Sequence, residues 1–325
     1  MSPLLHVENL SVHLRRGRSE AALLDGVGFS IDPGQTLGVV GESGCGKSIL
    51  ALALIGLLPP TARASGSIWL ERTDLTTLPE RELCARRGRQ LAMIFQEPML
   101  ALNPMQPIGR QVAEGMRLHL RLGRAESDAR ARLLLDRVGL PASRVPADAY
   151  PHALSGGQRQ RVLIAMALAC DPALLIADEF STALDMTTQA QILALLAELA
   201  AERRMALLMI SHDLGLVSQV AERILVLYAG RAVEVGPTAT VFHARTHPYT
   251  QGLLAASLHG TSIPTGQVLP NIPGQVPEPF ARPEGCGFAP RCRFVQADCR
   301  QARPPLVATG QAGHHAACLH PPVQP

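Results

Sequence analysis

Gly41-Glu42-Ser43-Gly44-Cys45-Gly46-Lys47-Ser48 fits the pattern G-x-x-x-x-G-K-[ST]. The apolar run Leu37-Gly38-Val39-Val40 comes before it, and an apolar helical run, residues 49–58, comes after it. A strand, a glycine-rich loop and a helix in that order commit this part of the chain to an α/β fold. The glycines let the backbone curl until successive N–H groups point at one anion, and the helix N-terminus adds partial positive charge. Gly41, Ser43, Gly44, Cys45, Gly46, Lys47 and Ser48 are therefore candidate ATP-binding residues. Lys47 is placed to reach the β- and γ-phosphates, and the Ser48 hydroxyl to hold Mg²⁺. Cys45 has no required role in such a loop. A thiol at a helix N-terminus is expected to ionise readily, and alkylation there to block nucleotide binding; an inert small residue is the other reading.

Apolar strand-like runs at residues 36–40, 173–177, 206–210 and 224–228 alternate with helical patterns. This alternation predicts a parallel sheet with helices packed on it. Near residue 256 the composition changes. Of 26 prolines, 12 fall in the last 62 residues, which argues against long helices or central strands there. The expected organisation is a nucleotide-binding domain over residues 1–255, with a helical subdomain at about 97–169, and a Pro/Cys-rich extension over 256–325. No internal repeat is visible, so one such domain is expected.

A net charge of +3 over 325 residues is too weak for a nucleic-acid partner, which needs a clustered basic face. The best candidate patch, Arg81, Arg86, Arg87 and Arg89, reads equally as a solvated helix face. The N-terminal residues show no secretory pattern. The longest apolar stretches, residues 49–58 and 162–169, fall short of the ~20 residues that span a bilayer, so a membrane role is expected to come through partners.

Residues 174–177 form an apolar run that ends in Asp178-Glu179. A buried strand of a doubly wound sheet ends beside its phosphate loop. Asp178 is then placed to reach Mg²⁺ through water, and Glu179 to orient and deprotonate an attacking water.

Leu154-Ser155-Gly156-Gly157-Gln158 heads the helical run at residues 162–169. Ser155 reads as a helix cap, with N–H groups directed outward at an anion. The pentapeptide resembles the signature of the ATP-binding-cassette (ABC) family, in which that anion is the γ-phosphate on a partner subunit's phosphate loop. By the same resemblance Gln96 is a Q-loop glutamine that senses Mg²⁺ and the attacking water. Ser181-Thr182-Ala183-Leu184-Asp185 is a D-loop at the dimer interface, and His212 is a switch histidine touching the γ-phosphate. The implied fold is a P-loop NTPase cassette: a RecA-like core with antiparallel β and helical subdomains. The implied catalytic residues are Glu179, His212 and Gln96, with Ser48, Gln96 and Asp178 on Mg²⁺. Two departures stand out. Phe180 occupies a position that is usually proline, and no aromatic residue lies between Leu10 and Leu24 to stack on adenine; His13 is the candidate substitute.

Phe95-Gln96-Glu97-Pro98-Met99, Leu102-Asn103-Pro104, the run from Tyr150 to Ser155, and His247-Pro248-Tyr249-Thr250 are similar to the ATPases of dipeptide/oligopeptide and nickel importers. The resemblance implies a related second ABC ATPase subunit, two membrane permease subunits and an external solute-binding protein. It places the chain on the cytoplasmic face of the inner membrane, with residues 97–108 meeting a permease. Cys286, Cys292, Cys299 and Cys318 have neither zinc-ribbon nor common ferredoxin spacing. Spacing alone leaves a metal site, zinc or free thiols open. The run from Gly285 to Cys292 is similar to the peptide importers' cysteine motif, which implies a [4Fe–4S] cluster with a structural role. His314, His315 and His320 are expected in solvent, with replacement of a cysteine ligand as the other reading. The competing readings are nickel or metal-chelate import, a soluble ABC ATPase acting on ribosomes or DNA, and a metal sensor with a degenerate ATPase.

Overall fold

The computed structural model describes residues 2–17, 19–95, 101–180, 185–257 and 271–322. In chain order the elements are β1 (Leu5–Arg16), β2 (Ser19–Ile31), β3 (Thr36–Val40), α1 (Lys47–Leu54), β4 (Ala62–Leu70), β5 (Thr73–Asp74), α2 (Glu80–Arg86), β6 (Leu91–Ile94), α3 (Ile108–His119), α4 (Arg124–Arg137), α5 (Gly156–Leu168), β7 (Leu174–Asp178), α6 (Met186–Arg203), β8 (Ala206–Ser211), α7 (Leu214–Val217), β9 (Arg223–Tyr228), β10 (Arg231–Pro237), α8 (Thr238–Ala244), α9 (Pro248–Ala256), β11 (Val307–Ala308) and β12 (His315–Ala316). The chain divides into two compact units. One comprises residues 1–31, 36–77 and 209–325, the other 32–35 and 78–208.

The first unit carries an antiparallel sheet of order β2-β1-β4-β5. Along β1, Leu5 and Val7 and then Leu10 and Val12 are buried, two stretches of period-2 alternation separated by a register shift between Val7 and Leu10. Its other strands run β11-β12-β10-β9-β3, with β3 and β9 parallel and the rest antiparallel. All five residues of β3 are buried, as expected of a parallel strand covered on both faces. Among the described residues the proline-rich segment forms short 3₁₀ turns at Pro279–Ala281, Ala289–Arg291 and Asp298–Arg300 and the two-residue strands β11 and β12, and β12 lies between β11 and β10.

In the second unit β6 and β7 pair in parallel, Leu91 with Leu174 through Ile94 with Ala177. The long helix α6 buries Ile192, Leu193, Leu196 and Leu199, spaced three or four apart on one face. Its neighbour α5 buries Val162, Leu163, Ile164 and Leu168. No helix among the described residues is long and apolar enough to cross a membrane.

Candidate ATP site

In the first unit the phosphate loop leaves the end of β3 and enters α1. Gly46 caps α1 at φ +110°, in the left-handed region that only glycine occupies without strain. A Cβ on Gly41 would collide with the Leu227 carbonyl oxygen of β9, so the loop can leave the sheet this closely only with glycine there. Lys47 is 4% exposed, and its Nζ donates to the carbonyls of Gly41 at 2.8 Å and Glu42 at 3.1 Å. The ammonium therefore closes the loop on itself and lies along its concave side. Ser43 and Gly44 are exposed at the rim, and Ser48 is half-buried in the first turn of α1.

Of the two readings of Cys45, burial favours one. Its side chain is fully buried, and burial raises the thiol pKa against the lowering effect of Lys47. Desolvation of the thiolate outweighs the helix N-terminus. The reading that survives is the small buried residue, not the reactive thiol.

His212 belongs to the same unit, exposed in the turn after β8. The turn is fixed on its far side: Asp213 N–H donates to Ser211 Oγ at 3.0 Å, and the Asp213 carboxylate caps α7 by accepting from Leu216 N–H at 3.0 Å. His13, half-buried on β1, lines a cavity of about 610 Å³ with Asp25, Arg231, Phe280, Arg282 and Arg303.

Sequence reasoning missed the groups that brace the loop from behind. Glu42 N–H donates to Tyr249 Oη at 2.7 Å. The Glu42 carboxylate is gripped by Arg291, with Nη1 to Oε2 at 2.6 Å and Nη2 to Oε1 at 2.9 Å. The Tyr228, Tyr249 and Phe288 rings pack edge-on or tilted, their centroids 4.6–5.4 Å apart. The run His247-Pro248-Tyr249-Thr250 was the available signal, because it places a tyrosine that no nucleotide chemistry asks for.

The second unit carries the remaining candidates. Asp178 ends β7 and is 3% exposed. Glu179 follows at φ +41°, a left-handed conformation that costs a non-glycine residue about 1–3 kcal/mol and clusters at functional sites. Phe180, where proline was expected, is 3% exposed; its ring fills the core while the acids keep their places. Ser155 caps α5 through a capping box: its Oγ accepts from Gln158 N–H at 3.3 Å, and its N–H donates to Gln158 Oε1 at 2.8 Å. Ser155 and Gly156 are exposed and Gly157 is half-buried, so the start of α5 is open to solvent in this chain. Asp185 caps α6, accepting from Thr188 N–H at 2.9 Å and Thr188 Oγ1 at 2.7 Å. These bonds hold its carboxyl below the usual range. Gln96 and residues 181–184 lie outside the described residues.

All seven cysteines are free. Cys286, Cys292, Cys299 and Cys318 line one tight enclosure of about 20 Å³. Burial pushes Cys286 and Cys292 up and Cys318 up to about 11, and the neighbouring thiols add to it. Among the described residues, Asp298, Cys299 and His320 are a triad whose ligand atoms lie within 4.8 Å of one another. The histidines do not all lie in solvent. His314 is fully buried; its Nε2 lies 2.9 Å from Glu234 Oε1 and its Nδ1 2.7 Å from Thr309 Oγ1.

The sequence profile of the ABC transporter family matches residues 24–182, and that of the oligopeptide/dipeptide transporter C-terminal region matches residues 233–299. The oligopeptide transport ATP-binding protein OppD of Salmonella typhimurium is 44% identical over 318 residues, 98% of this chain and 94% of OppD. The chain belongs to the ABC transporter family. Within it, the C-terminal match places the chain in the oligopeptide/dipeptide branch. A Brucella abortus (strain 2308) protein, provisionally named a peptide import ATP-binding protein, is 50% identical over 95% of this chain and 93% of its own length. Among solved structures, the ATP-binding cassette MJ0796, a dimer in a post-hydrolysis state with ADP and Pi, superposes with a TM-score of 0.65 at 28% identity. It covers 72% of this chain and 98% of MJ0796. The ABC assignment makes this chain an ATPase, and it confirms the cassette fold and the family reading of the sequence.

Proposed function

We propose that this chain is the ATP-hydrolysing subunit of an importer for di- and oligopeptides. The observation that carries this is the extent of the likeness to OppD, which runs through the cysteine-bearing segment as well as the cassette. The loop of residues 41–48 binds the ATP phosphates. Ser48 and Asp178 hold Mg²⁺ with Gln96, Glu179 activates the water and His212 contacts the γ-phosphate. The exposed cap at Ser155, with Gly156, Gly157 and Gln158, meets the ATP held by a second, related cassette, and Asp185 lies at that interface. ATP binding closes the pair, and hydrolysis reopens it. That motion switches two membrane permease subunits between outward- and inward-facing states, with an external solute-binding protein supplying peptide. The chain then works peripherally on the cytoplasmic face of the inner membrane.

Uptake of a labelled dipeptide and of nickel, in cells carrying Lys47→Ala in this chain, tests the reading. Loss of peptide uptake alone is expected. Loss of nickel uptake alone would replace the substrate assignment, and retention of both would overturn dipeptide import in favour of another substrate or a non-transport role.

We propose that the four-cysteine enclosure holds a [4Fe–4S] cluster, because Cys286, Cys292, Cys299 and Cys318 line one enclosure and four thiolates are the usual ligand number for such a cluster. When bound, the cluster would supply four Fe–S bonds that staple a proline-rich segment too short to build its own core. Chain purified without oxygen is expected to carry about four irons and a broad visible absorbance, both lost in Cys292→Ser. One zinc and no iron would favour a single ion instead.

A further inference from the structure

Arg291 is 8% exposed, and its guanidinium is committed in every direction. Besides both oxygens of Glu42, it donates from Nε to Pro273 O at 2.7 Å, from Nη2 to Ile272 O at 3.2 Å and from Nη1 to Tyr228 Oη at 3.4 Å. A planar fork gripping a carboxylate with two bonds fixes direction as well as distance. Glu42 is the second residue of the phosphate loop and is pinned at three points: its N–H by Tyr249, its carbonyl by Lys47 and its carboxylate by Arg291. Arg291 also stands immediately before Cys292, as the last residue of the 3₁₀ turn that Cys292 closes.

We propose that Arg291 is a positioning residue for ATP binding, holding the phosphate loop through Glu42 and passing the state of the four-cysteine segment to the nucleotide site. The curl of the loop decides whether its N–H groups converge on the phosphates. A carboxylate released from Arg291 would leave Glu42 free to turn and would place an uncompensated negative charge on the loop that must receive ATP. Any change at Cys292, through loss of its ligation or modification of its thiol, displaces the guanidinium one residue away. The proposal rests on residues 41–48 being the ATP site, which the same assay checks separately.

The test measures the affinity of the purified full-length chain for a fluorescent trinitrophenyl-ATP with Mg²⁺, beside its thermal unfolding midpoint. Arg291→Met and Arg291→Lys are each expected to weaken binding at least about tenfold, or about 1.4 kcal/mol, because lysine is a point charge that cannot hold both oxygens. Glu42→Gln is expected to act in the same direction, and Glu42→Gln/Arg291→Met to be no worse than the worse single variant, the mark of one shared interaction. Cys292→Ser is expected to weaken binding in the unaltered chain and to add nothing in the Glu42→Gln background. A merely structural ion pair would lower the unfolding midpoint and leave affinity alone. Unchanged affinity in folded Glu42→Gln and Arg291→Lys would overturn the positioning role. If the Arg291 variants do not fold, the half-exposed Glu42→Gln decides alone. Equal losses from Cys292→Ser in both backgrounds would overturn the coupling. Lys47→Ala binding as tightly as the unaltered chain would instead remove the ATP site itself.

Discussion

Glu179→Gln is expected to cut ATP turnover by about 10²–10⁴-fold, the usual contribution of a positioned general base, while ATP still binds. The amide keeps the shape of the carboxylate but cannot take a proton from water. Asp178, the last residue of β7, stays in place, and Phe180 remains packed behind it. The left-handed backbone at Glu179 is strain the fold maintains where β7 ends. Turnover measured in the assembled complex, beside trinitrophenyl-ATP binding to the same preparation, separates the two steps. Turnover equal to that of the unaltered protein would show that another group is the base.

His314→Ala is expected to destabilise the folded chain by about 1–3 kcal/mol, the range for removing one partner of a buried hydrogen bond. The carboxylate of Glu234 has no exposed surface and accepts from Thr246 N–H at 2.8 Å and His247 N–H at 3.0 Å as well as facing His314. Without the imidazole, Glu234 Oε1 keeps only Thr246 N–H, a buried gap is left beside it, and Thr309 Oγ1 loses its side-chain partner. Denaturant unfolding measures the loss, and limited proteolysis should show cleavage near β11 and β12 before the rest of the chain. A change below about 0.5 kcal/mol, that of an ordinary surface substitution, would contradict this role.

What could be read in advance had local causes. The run 36–40 reappears as β3 with the same ends, because a strand buried on both faces is apolar throughout. Ser155 was legible as a cap because Gln158 stands three residues later, completing a capping box within four residues of chain. The residues that escaped reading depend on distant partners. Arg291 meets Glu42 across 249 positions and His314 meets Glu234 across 80; no local pattern announces either. His314 was expected in solvent because it lies in a polar tail, yet the tail strand β12 pairs with β10 and carries it inside. Cys45 was left with two readings for a related reason: its place at a helix N-terminus is local, whereas the burial that raises its pKa comes from the packed unit around it.

The most direct test of the central claim is ATP turnover by the transporter complex isolated with this chain and placed in lipid vesicles, measured with and without peptide-loaded external binding protein. An ATPase coupled to peptide import predicts that loaded binding protein raises turnover and that Glu179→Gln abolishes the rise. Turnover indifferent to peptide and binding protein would contradict it.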